Sequence, residues 1–383
     1  MGSTIVALTV ATALVFDFTN GFHDTANAMA TTIATRALPP RTAVGLAAIL
    51  NFAGAFISVA VAATIASGIV EQDGVTVPII FAGLVGAILW NVITWFLGIP
   101  SSSSHALVGG VVGSVIAGVG STGVIWTGIA SKVVIPAVLA PFVCGLAAYI
   151  ATMLSYRLTR RYRAERSSEG FRLSQIASSS MVALAHGTND AQKTMGVVVL
   201  TLVAGGQLSA GSGVPLWVKF ACAAAIAAGT FSGGWRVIKT LGTRVTEIQS
   251  PQGFSAETSS ATSILASSYF GFPLSTTQVV SGGVMGAGLG RKGGVVHWMV
   301  VRNMVIAWLV TMPAAGLMGA VSEEAVSAFS NPTVGVGVVG GIMAVILATF
   351  FVMARRHGNV TSQNVLDADV ATPGAATPVP VGA

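Results

Sequence analysis

The chain has 383 residues, 53% of them hydrophobic and 8% charged, with a mean hydropathy of +0.79. Soluble domains carry roughly one-quarter charged residues, so this composition excludes a soluble fold. The formal charge of +6 sits in loops between apolar windows, which makes it a signal of membrane topology and excludes nucleic acid as a partner.

A transmembrane helix needs about 20 mostly apolar residues. The N-terminal stretch MGSTIVALTV lacks a basic n-region and reads as the start of a first membrane segment. Apolar windows follow at 42–70, 77–97, 132–156, 215–238, 294–320 and 333–354. They are continuously apolar and rich in Gly and Ala, whereas barrel strands alternate, so the expected fold class is all-α. Cys144 and Cys222 lie inside such windows and give no disulfide or metal framework. Between the windows, 157–172 carries Arg157, Arg160, Arg161, Arg163, Arg166 and Arg172. The end, 355–383, opens with Arg355 and Arg356 and turns Pro/Ala/Gly-rich, which predicts a disordered tail.

Two pairs of segments repeat in order. NGFHDTANAMAT at 20–31 pairs with HGTNDAQKTMGV at 186–197, and GIPSSSSHALVGG at 98–110 pairs with GFPLSTTQVVSGG at 271–283. The offsets, 166 residues from Asp24 to Asp190 and 173 from Pro100 to Pro273, are nearly equal, as one duplicated unit requires. Cytoplasmic loops accumulate Lys and Arg. Arg36 and Arg41 follow the first Asp motif, yet 205–213 after its copy is uncharged; Lys239 and Arg244 precede the second Pro-Ser motif, whereas EQDG precedes the first. Likewise 119–123 is uncharged, while its counterpart holds Arg291 and Lys292. The copies therefore read as inverted-topology repeats, 1–156 and 173–354, joined by a basic cytoplasmic loop at 157–172. The expectation is a multi-pass protein of the cell membrane, an inner membrane, with the N-terminus outside and the C-terminus cytoplasmic. It would have about twelve membrane segments, including broken helices and re-entrant hairpins near 98–118 and 271–290.

An ionisable residue in mid-span costs about 2.5–3.5 kcal/mol on insertion scales, so the Asp motifs call for a function. On helices beginning near Gly21 and Gly187, Asp24 would share a face with Asn27, and Asp190 with Lys193. Pro100 and Pro273 interrupt their helices beside hydroxyl clusters, Ser101, Ser102, Ser103, Ser104 and His105 in one copy and Ser275, Thr276, Thr277 and Gln278 in the other. Hydroxyls and helix N-termini suit a tetrahedral oxyanion. Hydrogen phosphate can donate its proton to a carboxylate and sulfate cannot, so the acids favour phosphate. Asp24 is then the site of a coupling proton or metal cation, while Asp190, Lys193 and the hydroxyls hold phosphate.

His23, His105 and His186 are proton-relay candidates or hydrogen-bonded spacers. Asp17 reads as facing Ser/Thr neighbours rather than lining the path. Trp90, Trp95, Trp217, Trp298 and Trp308 read as anchors or packing. GTNDAQKT almost spells a P-loop, but Gln192 stands where Gly is required and no strand precedes it, which excludes an ATPase. A serine of 101–104 with His105 lacks the elbow of a hydrolase, so no enzyme is expected. A passive anion channel remains an alternative.

Motifs NGFHDTANA, GIPSSSSHALVGG and HGTNDAQKTMG resemble those of the inorganic phosphate transporter (Pit) family, most of all its bacterial low-affinity permeases, over nearly the whole chain except the tail. The resemblance implies duplicated halves with substrate at their interface. It assigns phosphate and coupling-cation contacts to Asp24, Asn27, Asp190 and the Ser/Thr clusters. It also implies proton-driven import, with phosphate carried in some cases as a neutral complex with a divalent metal, no permanently bound cofactor, and a homodimer. Sodium-coupled relatives typically have Asn where Lys193 stands, and some members carry sulfate; both remain alternatives.

Overall fold

The computed structural model describes residues 2–72, 74–159, 164–356 and 360–367. Its helices are α1 (Gly2–Ala34), α2 (Pro40–Gly54), α3 (Ala60–Ser67), α4 (Val77–Leu97), α5 (Ser103–Val119), α6 (Trp126–Thr159) and α7 (Ala164–Ala204), then α8 (Leu216–Ser232), α9 (Trp235–Arg244), α10 (Ser250–Tyr269), α11 (Thr276–Gly290), α12 (Trp298–Ser327) and α13 (Pro332–Arg356). Among the described residues no strand forms, in line with the all-α expectation. α1, α4, α6, α12 and α13 are long and apolar enough to cross a membrane. α8 and α9 make a sixth span if they count as one, so five or six of the described helices are membrane-crossing candidates by length and composition.

Three sequence expectations are corrected. The window at 42–70 is two helices, because Gln192 Oε1, from α7, accepts hydrogen bonds from Val61 N (2.9 Å) and Ala62 N (3.3 Å) and so starts α3 afresh. The window at 215–238 bends by 61° between α8 and α9, where Gly233 adopts φ +71. Gly21 and Gly187 do not begin helices: α1 and α7 run through them unbroken. Their role is close approach, since a Cβ on Gly21 would strike the Ile226 carbonyl and one on Gly187 the Asn51 carbonyl.

The helices pack reciprocally. α1 lies against α8 and α7 against α2; the hairpin helix α5 lies against α12, and its counterpart α11 against α6. Small residues set these crossings: Gly113 meets Gly316 where α5 crosses α12, and Gly286 meets Gly145 where α11 crosses α6. Such exchange of partners is what a two-fold axis between two copies produces.

Two apolar cores flank this arrangement. One takes Val6, Ala13 and Phe16 of α1 with Ala191, Met195 and Leu200 of α7. The other takes Ala26, Met29 and Ile33 of α1 with Val182, Ala183 and Ala185 of α7. Between them lies a polar layer holding Asp17, Asn20, His23 and Asp24 on α1 and His186, Asn189 and Asp190 on α7, all buried. Of the central basic stretch, Arg157 lies in the last turn of α6 and Arg172 Nε donates to Ala37 O at 3.2 Å. Arg160, Arg161, Arg163 and the Arg166 side chain lie outside the described residues. Within the expected disordered tail, 360–367 docks through buried Val360 and Val365 on the second core; 368–383 is outside the described residues.

Candidate functional site

Both Pro-Ser motifs break their hairpins as the prolines require. α4 ends at Leu97 and α5 starts at Ser103; α10 ends at Tyr269 and α11 starts at Thr276. The carbonyls freed at these breaks are satisfied by side chains from elsewhere in the fold, as membrane depth demands. Gly98 O accepts from Thr240 Oγ1 (2.8 Å), Pro100 O from Trp308 Nε1 (3.1 Å) and Leu274 O from Lys193 Nζ (2.7 Å).

Not every clustered hydroxyl reaches an acid. Ser102 Oγ accepts from His105 N (3.1 Å) and Ser275 Oγ from Gln278 N (3.3 Å), so these two are helix N-caps. Ser101 donates to Thr94 Oγ1 at 2.8 Å. The next pair along each motif meets the carboxylates. Ser103 Oγ donates to Asp24 Oδ2 at 2.5 Å, and its counterpart Thr276 Oγ1 donates to Asp190 Oδ2 at 3.1 Å. Across the halves, Asn27 Nδ2 donates to Thr276 and Thr277 (3.3 and 3.0 Å), while Lys193 Nζ donates to Ser104 Oγ at 2.5 Å. Lys193 also pairs with Asp190. Each half thus holds its own acid and reaches into the other's hydroxyl cluster.

The histidines separate. His23 Nδ1 lies 2.7 Å from Asp24 Oδ1. His186 stands between the acids, its Nε2 3.0 Å from Asp190 Oδ2 and 4.0 Å from Asp24 Oδ2, with Nδ1 fixed by Asn51 Oδ1 at 3.1 Å. His105 and Gln278 instead line an open apolar cleft of about 890 Å³ together with Pro141, Gly282, Trp308 and Met312. Among the described residues neither the His105 nor the Gln278 side chain bonds to Asp24 or Asp190, and Gln278 Oε1 is buried without a partner. Asp24, His186 and Asp190 each offer an atom within 4.8 Å of the others, a group able to hold a metal ion.

Asn51 and Thr94 belong to this layer and carry no motif signal. Glu257 is a second omission of sequence reasoning. Its carboxylate accepts from Thr31 (2.5 Å), Thr32 (2.8 Å), Gln175 (3.2 Å) and Ser178 (2.5 Å), where α1 ends. A lone acid in an otherwise uncharged helix was the available clue.

Residues 20–319 match the phosphate transporter family, a span that contains every residue of this layer except Asp17. The chain belongs to the phosphate transporter family. A relative in Mycobacterium tuberculosis, named "probable low-affinity inorganic phosphate transporter", is 58% identical over 317 residues, covering 82% of this chain and 76% of that one. A Bacillus subtilis relative of the same name is 38% identical over 322 residues, covering 83% and 96%. Among solved structures, one described as the sodium-dependent phosphate transporter superposes with a TM-score of 0.76 at 25% identity, over 85% of this chain and all of that one. Members of this transporter family move a solute and do not catalyse its conversion, so the hydroxyls beside His105 need no reading as a nucleophile.

Proposed function

We propose that the chain imports inorganic phosphate as a secondary active transporter, by proton symport with alternating access. One observation carries this reading: two carboxylates, each bonded to hydroxyls at a hairpin-helix N-terminus, meet in one sealed layer between two apolar cores. A hydrogen phosphate entering the layer donates a hydrogen bond through its P–OH to a carboxylate and accepts from the hydroxyl and N–H donors that now serve Asp24 and Asp190. A divalent cation travelling with phosphate as cargo would meet the Asp24, His186 and Asp190 group.

The organisation that goes with this function is two inverted repeats, 1–156 and 173–354, with the 157–172 stretch and the end beyond 355 cytoplasmic and the N-terminus outside. Counting hairpin helices as membrane segments brings the number to about twelve. The protein resides in the lipid bilayer of the cell membrane and pairs as a homodimer.

Lys193 favours the proton over sodium. It places a fixed charge at the position that Asn27 occupies in the other half, so one of the two equivalent places needs no mobile cation. The sodium-dependent structural relative supports the second reading, sodium coupling, because Asn27 with Asp24 leaves the other place open to a cation. Purified protein in liposomes, loaded with labelled phosphate outside and subjected to a proton gradient or a sodium gradient, tests both. Accumulation is expected under the proton gradient alone and undiminished by excess sulfate. Accumulation that follows only the sodium gradient selects the second reading.

A further inference from the structure

Asp24 and Asp190 are saturated with donors, but Asp17 is not. It lies two turns before Asp24 on α1, about 10 Å along the axis, and is fully buried. Its polar neighbours are Asn20 on its own helix and Thr194 on α7. Neither Asp17 oxygen has a hydrogen-bond partner among the described residues, and neither does Asn20 Oδ1 or Thr194 Oγ1, although all three side chains are at least nine-tenths buried. The Asn20 amide and the Thr194 hydroxyl face the carboxylate as potential donors, Thr194 being a hydroxyl neighbour of the kind the sequence leads one to expect, yet neither Asp17 oxygen is in hydrogen-bonding geometry with them.

The titratable and charged groups that act on Asp17 are Asp190 and Lys193 on α7, and it acts in turn on the Cys222 thiol of α8. α4, which also packs on α1, contains no charged residue. Lys193 cannot neutralise it, because the ammonium is already engaged by Asp190, Ser104 and the Leu274 carbonyl. A bare carboxylate costs several kcal/mol in such a place, so its charge has to be cancelled by something that binds there. Four side-chain oxygens are fewer than the six to eight that a divalent ion such as calcium takes. A single proton suffices: a protonated Asp17 donates to Asn20 Oδ1 and accepts from the Thr194 hydroxyl. The duplication does not repeat the feature, since Ala183 stands at the equivalent place on α7.

We propose that Asp17, with Asn20 and Thr194, holds the coupling proton, at a site separate from the phosphate-binding pair Asp24 and Asp190. The proposal rests on proton-driven phosphate import and moves the proton away from Asp24. Full-length protein in liposomes tests it by two assays: exchange of labelled for unlabelled phosphate at equal pH, and uptake driven by an inward proton gradient. Asp17→Asn is expected to keep exchanging phosphate while losing stimulation by the gradient by about tenfold or more. Thr194→Val, nearly isosteric and therefore safe for folding, should move the pH profile of driven uptake by at least about half a pH unit. Retained gradient stimulation in Asp17→Asn overturns the proposal, as does loss of exchange in the folded variant, which would put Asp17 in the phosphate pocket. Should Asp17→Asn fail to fold, an unmoved profile in Thr194→Val overturns it alone. A wild-type protein indifferent to the proton gradient is a different failure, that of proton coupling itself.

Discussion

Lys193 brings a full positive charge into contact with Asp190 where neither is more than 2% exposed, so the two stand or fall together. Removing one partner of a buried ion pair strands the other, at a cost of about 3–5 kcal/mol, whereas replacing both by neutral groups is often tolerated. Lys193→Met is therefore expected to lower the thermal midpoint of the detergent-purified protein by several degrees. Adding Asp190→Asn should recover most of that loss while leaving phosphate uptake abolished. A double variant no more stable than the single one would show that the Lys193 charge is not what balances Asp190. The acids and their three-residue partners were legible in the sequence because a duplicated motif exposes them twice. The division of labour inside SSSSH was not. Ser102 caps and Ser103 reaches Asp24 because of where α5 starts relative to α1, a tertiary relation that a run of identical serines cannot encode. Asp17 does have a hydroxyl neighbour in Thr194, as its sequence surroundings suggest, but the loose fit between the two depends on how α7 sits against α1, which no local motif spells out.

At the level of elements, apolar windows reported helices faithfully but not their interruptions. Pro100 and Pro273 announce their breaks. The break after Gly54 has no proline, and α3 restarts because Gln192, 131 residues away from Val61, accepts its N–H. The glycines of the Asp motifs were read as helix ends, yet they admit the Ile226 and Asn51 carbonyls against uninterrupted helices. Contact of this kind dominates the hairpins as well. A Cβ at Gly113 would lie 2.6 Å from Gly316 Cα, and one at Gly286 would lie 2.8 Å from Gly145 Cα. Backbone cannot give way as a side chain can, so overpacking here costs about 1–3 kcal/mol or more. Gly113→Ala and Gly286→Ala are both expected to lower the yield of monodisperse protein and its thermal midpoint, to a similar extent because the crossings are equivalent. Gly341→Ala on α13 meets nothing within 4 Å and serves as the contrast, neutral or stabilising by about 0.5–1 kcal/mol through helix propensity. If Gly341→Ala proved as harmful as the hairpin variants, helix crossing would not be what those glycines serve.

For the whole molecule, the decisive property is closure. Asp24 and Asp190 are 1% and 0% exposed, Lys193 is 1%, and the apolar cores lie on either side of them along α1 and α7. An open pore lined by hydroxyl rings would leave at least part of such a layer wetted from one side. On the proposed alternating-access mechanism the sealed polar layer opens through a second arrangement of the helices, in which the two reciprocally packed halves would exchange roles. If phosphate crosses only when that rearrangement occurs, a loaded site returns more readily than an unloaded one, because the bound anion meets the hydroxyls and Lys193 that otherwise hold the carboxylates. Unlabelled phosphate outside is therefore expected to speed the release of labelled phosphate preloaded into liposomes, and the speeding should saturate with concentration. A passive pore shows neither effect, since flux through it depends on the gradient of the labelled species alone. Release that is insensitive to outside phosphate would mean that the closed layer is breached without a rocking step, and the two-state reading of this fold would have to be given up.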